Sequence, residues 1–182
     1  MLALALFLTL WGARLVVIDR FGSDIPFWNQ WDKEADKLYA EWFESRDAKH
    51  LILPHNEHRI FPTMALNLGL ILASGQWDAR MESVVSAALN ALVLAGFFGW
   101  VSGRVGRGWA LAIGFVLTAV GSAPIPWENV VSGFQTQFYF LIGFSLLAIG
   151  GLLFAPAFSG RWWAGVAAAS LALVSMGSGM LC

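Results

Sequence analysis

The chain has 182 residues, 58% of them hydrophobic and only 13% charged, where a soluble domain carries about a quarter of its residues charged. Its net charge of -1 hides a segregation, since eleven of the twelve acidic residues, seven of the eleven basic ones and all three histidines lie between Asp19 and Glu82. That balance excludes the one-signed basic face of a nucleic-acid-binding protein, and the single cysteine, Cys182, excludes an intrachain disulfide or a cysteine-ligated metal.

In chain order, residues 1–18 are apolar apart from Arg14 and long enough for a membrane crossing. A cleaved signal peptide would show a basic start and a small-residue cleavage site, so a retained helix is expected. Further spans are expected at 83–102, 108–124, 136–158 and 162–182. The piece 62–74 is shorter and is interrupted by Asn67. If it crossed, Arg104, Arg107 and Arg161 would share a side with the charged region. If it lies along or dips into the interface, all three fall in cytoplasmic segments, as the positive-inside rule favours. The second arrangement is expected, with 19–82 as one long external loop and 125–135 as a second. The ten Trp and fourteen Phe suit the two membrane interfaces.

Within the long loop, Trp31, Ala35, Leu38, Tyr39, Trp42 and Phe43 recur at the spacing of one α-helical face, with Asp32, Lys33, Asp36, Lys37, Glu44 and Ser45 on much of the other. Such a helix is expected to lie flat in the interface. The predicted fold class is all-α: a polytopic transmembrane bundle whose long external loop carries interfacial amphipathic helices.

Four polar clusters carry the chemistry. They are Gly22-Ser23-Asp24, Trp31-Asp32-Lys33-Glu34, Pro54-His55-Asn56-Glu57-His58-Arg59, and Glu128-Asn129 in the second loop. Carboxylates at a membrane surface can act as general bases or hold Mg or Mn against a phosphate, and the histidines add nitrogen ligands suited to Zn or Mn. The His-Asn-Glu-His run lacks HExxH spacing, which argues against a zinc protease. Structural roles stand beside the chemical ones. Asp24 or Asp32 can cap a loop or helix, and Arg59 can meet any lipid headgroup.

This layout resembles the GT-C class of lipid-linked glycosyltransferases, in particular the branch of protein O-mannosyltransferases and lipid A aminoarabinose transferases. The resemblance rests on a first span, then an acidic stretch ahead of a tyrosine (Asp32-Lys33-Glu34-Ala35-Asp36-Lys37-Leu38-Tyr39), then His55-Asn56-Glu57 ahead of Pro62 and a short apolar piece, then Gly75, Arg80 and Ser83. The acidic pair of that family sits nearer its tyrosine, which leaves Asp32, Glu34 and Asp24 all open as the catalytic carboxylate.

The resemblance implies transfer of a sugar from a polyprenyl-phosphate donor, with inversion, at the outer face of a bacterial inner membrane. Asp32 is the first choice of base. Arg59, Glu128 and Asn129 are candidates for substrate or phosphate contact, and His55 and Glu57 for a divalent metal. The partners expected are the lipid-linked donor and membrane lipids. Family members have about ten or more spans, so this chain is expected to be an amino-terminal part, inactive alone. A transporter component is the first alternative; it would set ionisable residues inside the spans, and beyond Glu82 there are none. A non-catalytic membrane scaffold is the second.

Overall fold

The computed structural model describes residues 1–177. Among these the chain is a succession of helices with no named β-strand, as the apolar runs and their spacing predict. Three helical runs, Leu2–Phe21, Ala79–Ser102 and Gly133–Phe154, are long and apolar enough to cross a membrane. At about 1.5 Å per residue, each reaches the roughly 30 Å of hydrocarbon.

The helices are α1 (Leu2–Phe21), a π-helix (Gln30–Ala40), α2 (Glu41–Ser45), α3 (Phe61–Ser74), α4 (Ala79–Ser102), α5 (Arg107–Ser122), α6 (Trp127–Val130), α7 (Thr136–Phe154) and α8 (Gly160–Leu173), with short 3-10 turns at Ala48–Leu51 and Gly133–Gln135. Two expected spans are shorter than the sequence suggests. The run expected at 108–124 gives α5 with 16 residues, and the run at 162–182 gives α8 with 14, about 24 and 21 Å long. Proline sets one of these limits. Ala123 precedes Pro124 and takes an extended conformation (ψ 137), because the ring excludes the residue before it from helical geometry. The same effect of Pro156 accounts for α7 stopping at Phe154 rather than at 158. The last five residues of the expected fifth span, 178–182 with Cys182, lie outside the described residues.

The expected long loop is itself largely helical. Asp19 and Arg20 complete α1, and Glu82 sits in the first turn of α4, whose start is capped by Asp78 Oδ1 accepting from Met81 N at 2.8 Å. The short piece 62–74 becomes α3, which ends on Gly75 in the left-handed region (φ 75), where glycine carries no Cβ penalty.

The chain forms two compact units, the first from Met1–Ile25 with Asp78–Gln135, the second from Pro26–Trp77 with the chain from Thr136 onward. In the first, α1 and α4 pack antiparallel. Ala3 lies beside Gly99, Leu10 clusters with Ala91 and Phe98, and Val17 and Ile18 cluster with Ala87 and Val130. Small residues at these crossings let backbones approach, which is how helices associate where lipid removes the hydrophobic driving force. α5 joins at the other end of the pair, its Ala110, Leu111 and Gly114 lining an open apolar groove with Leu2, Leu6 and Phe98.

In the second unit α7 and α8 form a tight antiparallel hairpin. Gly151 and Gly165 meet backbone to backbone, so that a Cβ on Gly151 would lie 2.7 Å from Gly165 Cα and from the Arg161 carbonyl oxygen. Gly165, Ala168 and Ala172 are the buried positions of α8. Phe61 N at the start of α3 donates to Val174 O at 2.9 Å, tying α3 to the end of α8.

Candidate functional site

The second unit holds most of the chemistry-bearing residues, and the π-helix arranges them. Its i→i+5 hydrogen bonding widens the turn relative to an α-helix, so the buried positions are Gln30, Lys33, Glu34, Leu38 and Tyr39. This corrects the expected face. Lys33 is fully buried rather than on a solvated charged side, and Trp31 is 52% exposed rather than at the centre of the covered one. An α-helical count fails here because neighbours in a π-helix are spaced further apart along the chain. Trp77 seals the helix, meeting Trp31 edge-on at 5.8 Å and Tyr39 at 5.2 Å.

Glu34 is fully buried and held from two sides. Gln30 Nε2 donates to one carboxylate oxygen at 3.2 Å and Asn67 Nδ2 to the other at 2.7 Å. Gln30 Oε1 in turn accepts from Phe27 N at 2.9 Å, fixing the entry to the helix. Lys33 Nζ donates to Leu53 O at 2.8 Å. Burial, and then repulsion from Lys37, holds the Lys33 ammonium below the ordinary lysine range. These contacts make Glu34 a brace between the π-helix and α3.

Asp32, by contrast, is exposed in the first turn of the same helix, as are Asp36 and Lys37 one turn on. His55 and His58 close a tight turn in which each backbone N–H donates to the other's carbonyl, at 2.8 and 3.0 Å. Asn56 at the tip takes a positive φ of 52, a conformation that asparagine tolerates better than most residues. His58 Nδ1 accepts from Gly177 N at 3.1 Å. The His55 ring is buried, and burial lowers its pKa first. Lys33 and Lys37 push it further in the same direction, Asp32 opposes them, and His58 adds a smaller lowering. His55 is thus within electrostatic reach of Asp32, Lys33, Lys37 and His58.

Glu57 and Arg59 are exposed on or beside this turn. Among the described residues no group of three or more His, Cys, Asp or Glu side chains is set to hold a metal. His55, Glu57 and His58 share the turn.

The first unit holds the remaining candidates. Asp24 lies just beyond α1 and is mostly exposed. Its Oδ1 pairs with Arg80 Nε at 3.4 Å, and Arg80 Nη2 donates to Gly22 O at 3.2 Å. An ion pair so open to solvent contributes about 0–1 kcal/mol. Glu128 is exposed and Asn129 partly buried in α6, which is seated at the same end of the unit by Val130 against Val17, Ile18 and Ala87. Gly133, two residues beyond Val131, packs directly on Glu82.

Sequence reasoning missed Asn67 and Gln30 as the holders of Glu34, and Lys33 as a buried cation. A signal was present for Asn67, the one amide interrupting an apolar run. An amide there needs a polar partner once buried. No family model, curated protein or solved structure matches the chain.

Proposed function

We propose that this membrane protein transfers a sugar from a polyprenyl-phosphate donor to an acceptor hydroxyl at the outer membrane surface, as the resemblance to GT-C glycosyltransferases implies. The observation that carries the reading is the setting of Asp32, an exposed carboxylate on a braced π-helix beside Lys33, Lys37 and His55. π-Helical segments occur frequently at functional sites. In the proposed reaction Asp32 takes the proton from the acceptor hydroxyl as its oxygen bonds to the anomeric carbon. The bond from that carbon to the phosphate oxygen breaks, and the lipid phosphate leaves with the electron pair. Lys37 and Arg59 offer positive charge to the departing phosphate, and buried Lys33 adds to the local field.

Orientation follows from charge. Arg104 and Arg107 flank the short turn between α4 and α5, at the end of the first unit opposite Asp24, Arg80 and Glu128. The positive-inside rule assigns that turn to the cytoplasm and the acidic end to the outside of a bacterial inner membrane.

The test is transfer of radiolabel from a panel of polyprenyl-phosphate hexoses and pentoses, in membranes carrying the gene product at its natural full length. Label entering lipid or protein acceptors above membranes without it is the expected result. No transfer from any donor, at verified protein level, would count against the reading.

A further inference from the structure

Within the first unit, α1, α4 and α5 leave an open groove of about 220 Å³ between them. Small residues keep it open. Ala5 on α1, with Ala110 and Gly114 on α5, carries too little side chain to fill the space, and the buried Leu6 and Phe98 line it from below. Its only polar side chains are Thr9 and Thr118. Both are satisfied within their own helices, Thr9 Oγ1 donating to Ala5 O at 2.9 Å and Thr118 Oγ1 to Gly114 O at 2.8 Å. The groove therefore suits hydrocarbon, and it runs beside α1 and α4, which are long and apolar enough to cross a membrane.

One end of the groove meets a cation. Leu111, Gly114, Phe115 and Thr118 line it from α5, and Arg107, the first residue of that helix, precedes Leu111 by four positions. That spacing puts Arg107 on the same helical face, one turn nearer the α4–α5 turn. Arg107 is exposed and takes part in none of the ion pairs of the described residues. Its neighbour Arg104 is engaged elsewhere, donating to Trp100 O at 2.6 Å and lying 4.3 Å over the Trp100 ring. No Asp or Glu occurs in residues 1–18 or 83–127. Glu82, at the other end of α4, is about 30 Å away along the helix. The counter-charge for Arg107 must come from outside the first unit.

We infer that the groove holds an acyl chain of an anionic phospholipid whose phosphate pairs with Arg107. A phospholipid joins phosphate and hydrocarbon in one molecule, in the order that Arg107 and then Leu111 to Thr118 present along α5. A guanidinium offers a planar fork to two phosphate oxygens, and basic residues at the end of a membrane helix attract anionic headgroups. Trp109, 73% exposed and two residues from Arg107, has the amphipathic ring that favours the same headgroup level. A helix from a second copy could fill the groove but would leave Arg107 without its anion. The inference is independent of sugar transfer, because none of its residues belongs to the candidate site of the second unit.

Native mass spectrometry of the purified full-length protein in uncharged detergent tests the site, with dimyristoyl phosphatidylglycerol and dimyristoyl phosphatidylcholine titrated separately. The first phosphatidylglycerol is expected to bind about fivefold more tightly than the first phosphatidylcholine, as one cation near a headgroup provides. Arg107→Gln should erase that preference. Ala5→Phe, which places a ring in the groove, should weaken both lipids, whereas Leu4→Phe, on an exposed position outside the groove, should change neither. Should Ala5→Phe lose its helical circular dichroism or monodispersity, Ala5→Leu takes its place. Equal binding of the two lipids by the parent overturns the inference, as does an undiminished preference in Arg107→Gln or parental binding in the folded groove variant. A dimer that lipid does not dissociate and that Ala5→Phe abolishes would assign the groove to a second copy and overturn it too.

Discussion

Asn67, in the middle of α3, donates to the carboxylate of Glu34 in the π-helix at 2.7 Å, across 33 positions of sequence. Both side chains are buried. Deleting the donor in Asn67→Leu leaves a buried carboxylate short of one hydrogen bond and is expected to cost about 2–3 kcal/mol. Glu34→Gln should cost much less. Asn67 Oδ1 has no partner, so a flipped Asn67 amide can accept from the new one. Thermal unfolding of the two variants in detergent checks the order; equal losses would remove the brace from the account.

Backbone contact between Gly151 and Gly165 leaves no room for a methyl group. Gly151→Ala and Gly165→Ala are each expected to destabilise the α7–α8 hairpin by about 1–3 kcal/mol, the usual cost of overpacking. Gly150→Ala is the control. Nothing lies within 4 Å of its added Cβ, so alanine there should be neutral or stabilising by up to about 1 kcal/mol. The three melting curves compared side by side decide it.

Burial and the neighbouring lysines hold His55 below its ordinary pKa of 6.5. The sign of the linkage follows. Near and below that value the unfolded chain binds more protons than the folded one, so stability rises with pH through the window between the lowered pKa and 6.5. The destabilisation is fully present below the lowered value and gone above the ordinary one. The melting temperature should therefore climb as the pH rises toward and through 6.5, and His55→Gln should flatten the climb. A slope unchanged in the variant would assign it to other groups.

Asp24 and Glu128 lie at one end of the first unit, and the turn carrying Arg104 and Arg107 at the other. In a background with Cys182→Ser, single cysteines at positions 23 and 128 are expected to react with an impermeant maleimide added to intact cells, and a cysteine at 107 only after lysis. The reverse pattern would invert the proposed orientation.

Much of the fold was legible because long apolar runs can do little else in a bilayer. The three long helical runs follow from composition, whereas the expected spans to 124 and 158 overran the ends that Pro124 and Pro156 impose. The candidate site was legible in part. Asp32 and the His55 turn stood out as polar clusters, and both sit in the second unit within electrostatic reach. The burial of Lys33 was not readable, since it depends on π-helical winding that an α-helical count cannot reveal. Nor was the role of Glu34, which looked equivalent to Asp32 in sequence and differs only because Gln30 and Asn67 converge on it. The Asp24–Arg80 pair joins residues far apart in the chain, a distance that spacing alone does not bridge.

The most direct test of the central claim is the rate of sugar transfer by Asp32→Asn in the full-length protein, measured beside Asp24→Asn. Asparagine keeps the size and most hydrogen bonding of Asp32 but removes the basic oxygen, so a general base should lose roughly 10²- to 10⁴-fold in rate at unchanged protein level. A helix cap would not, because asparagine caps as well as aspartate. That large loss is expected for Asp32→Asn and a much smaller one for Asp24→Asn. Parental transfer by Asp32→Asn would contradict it.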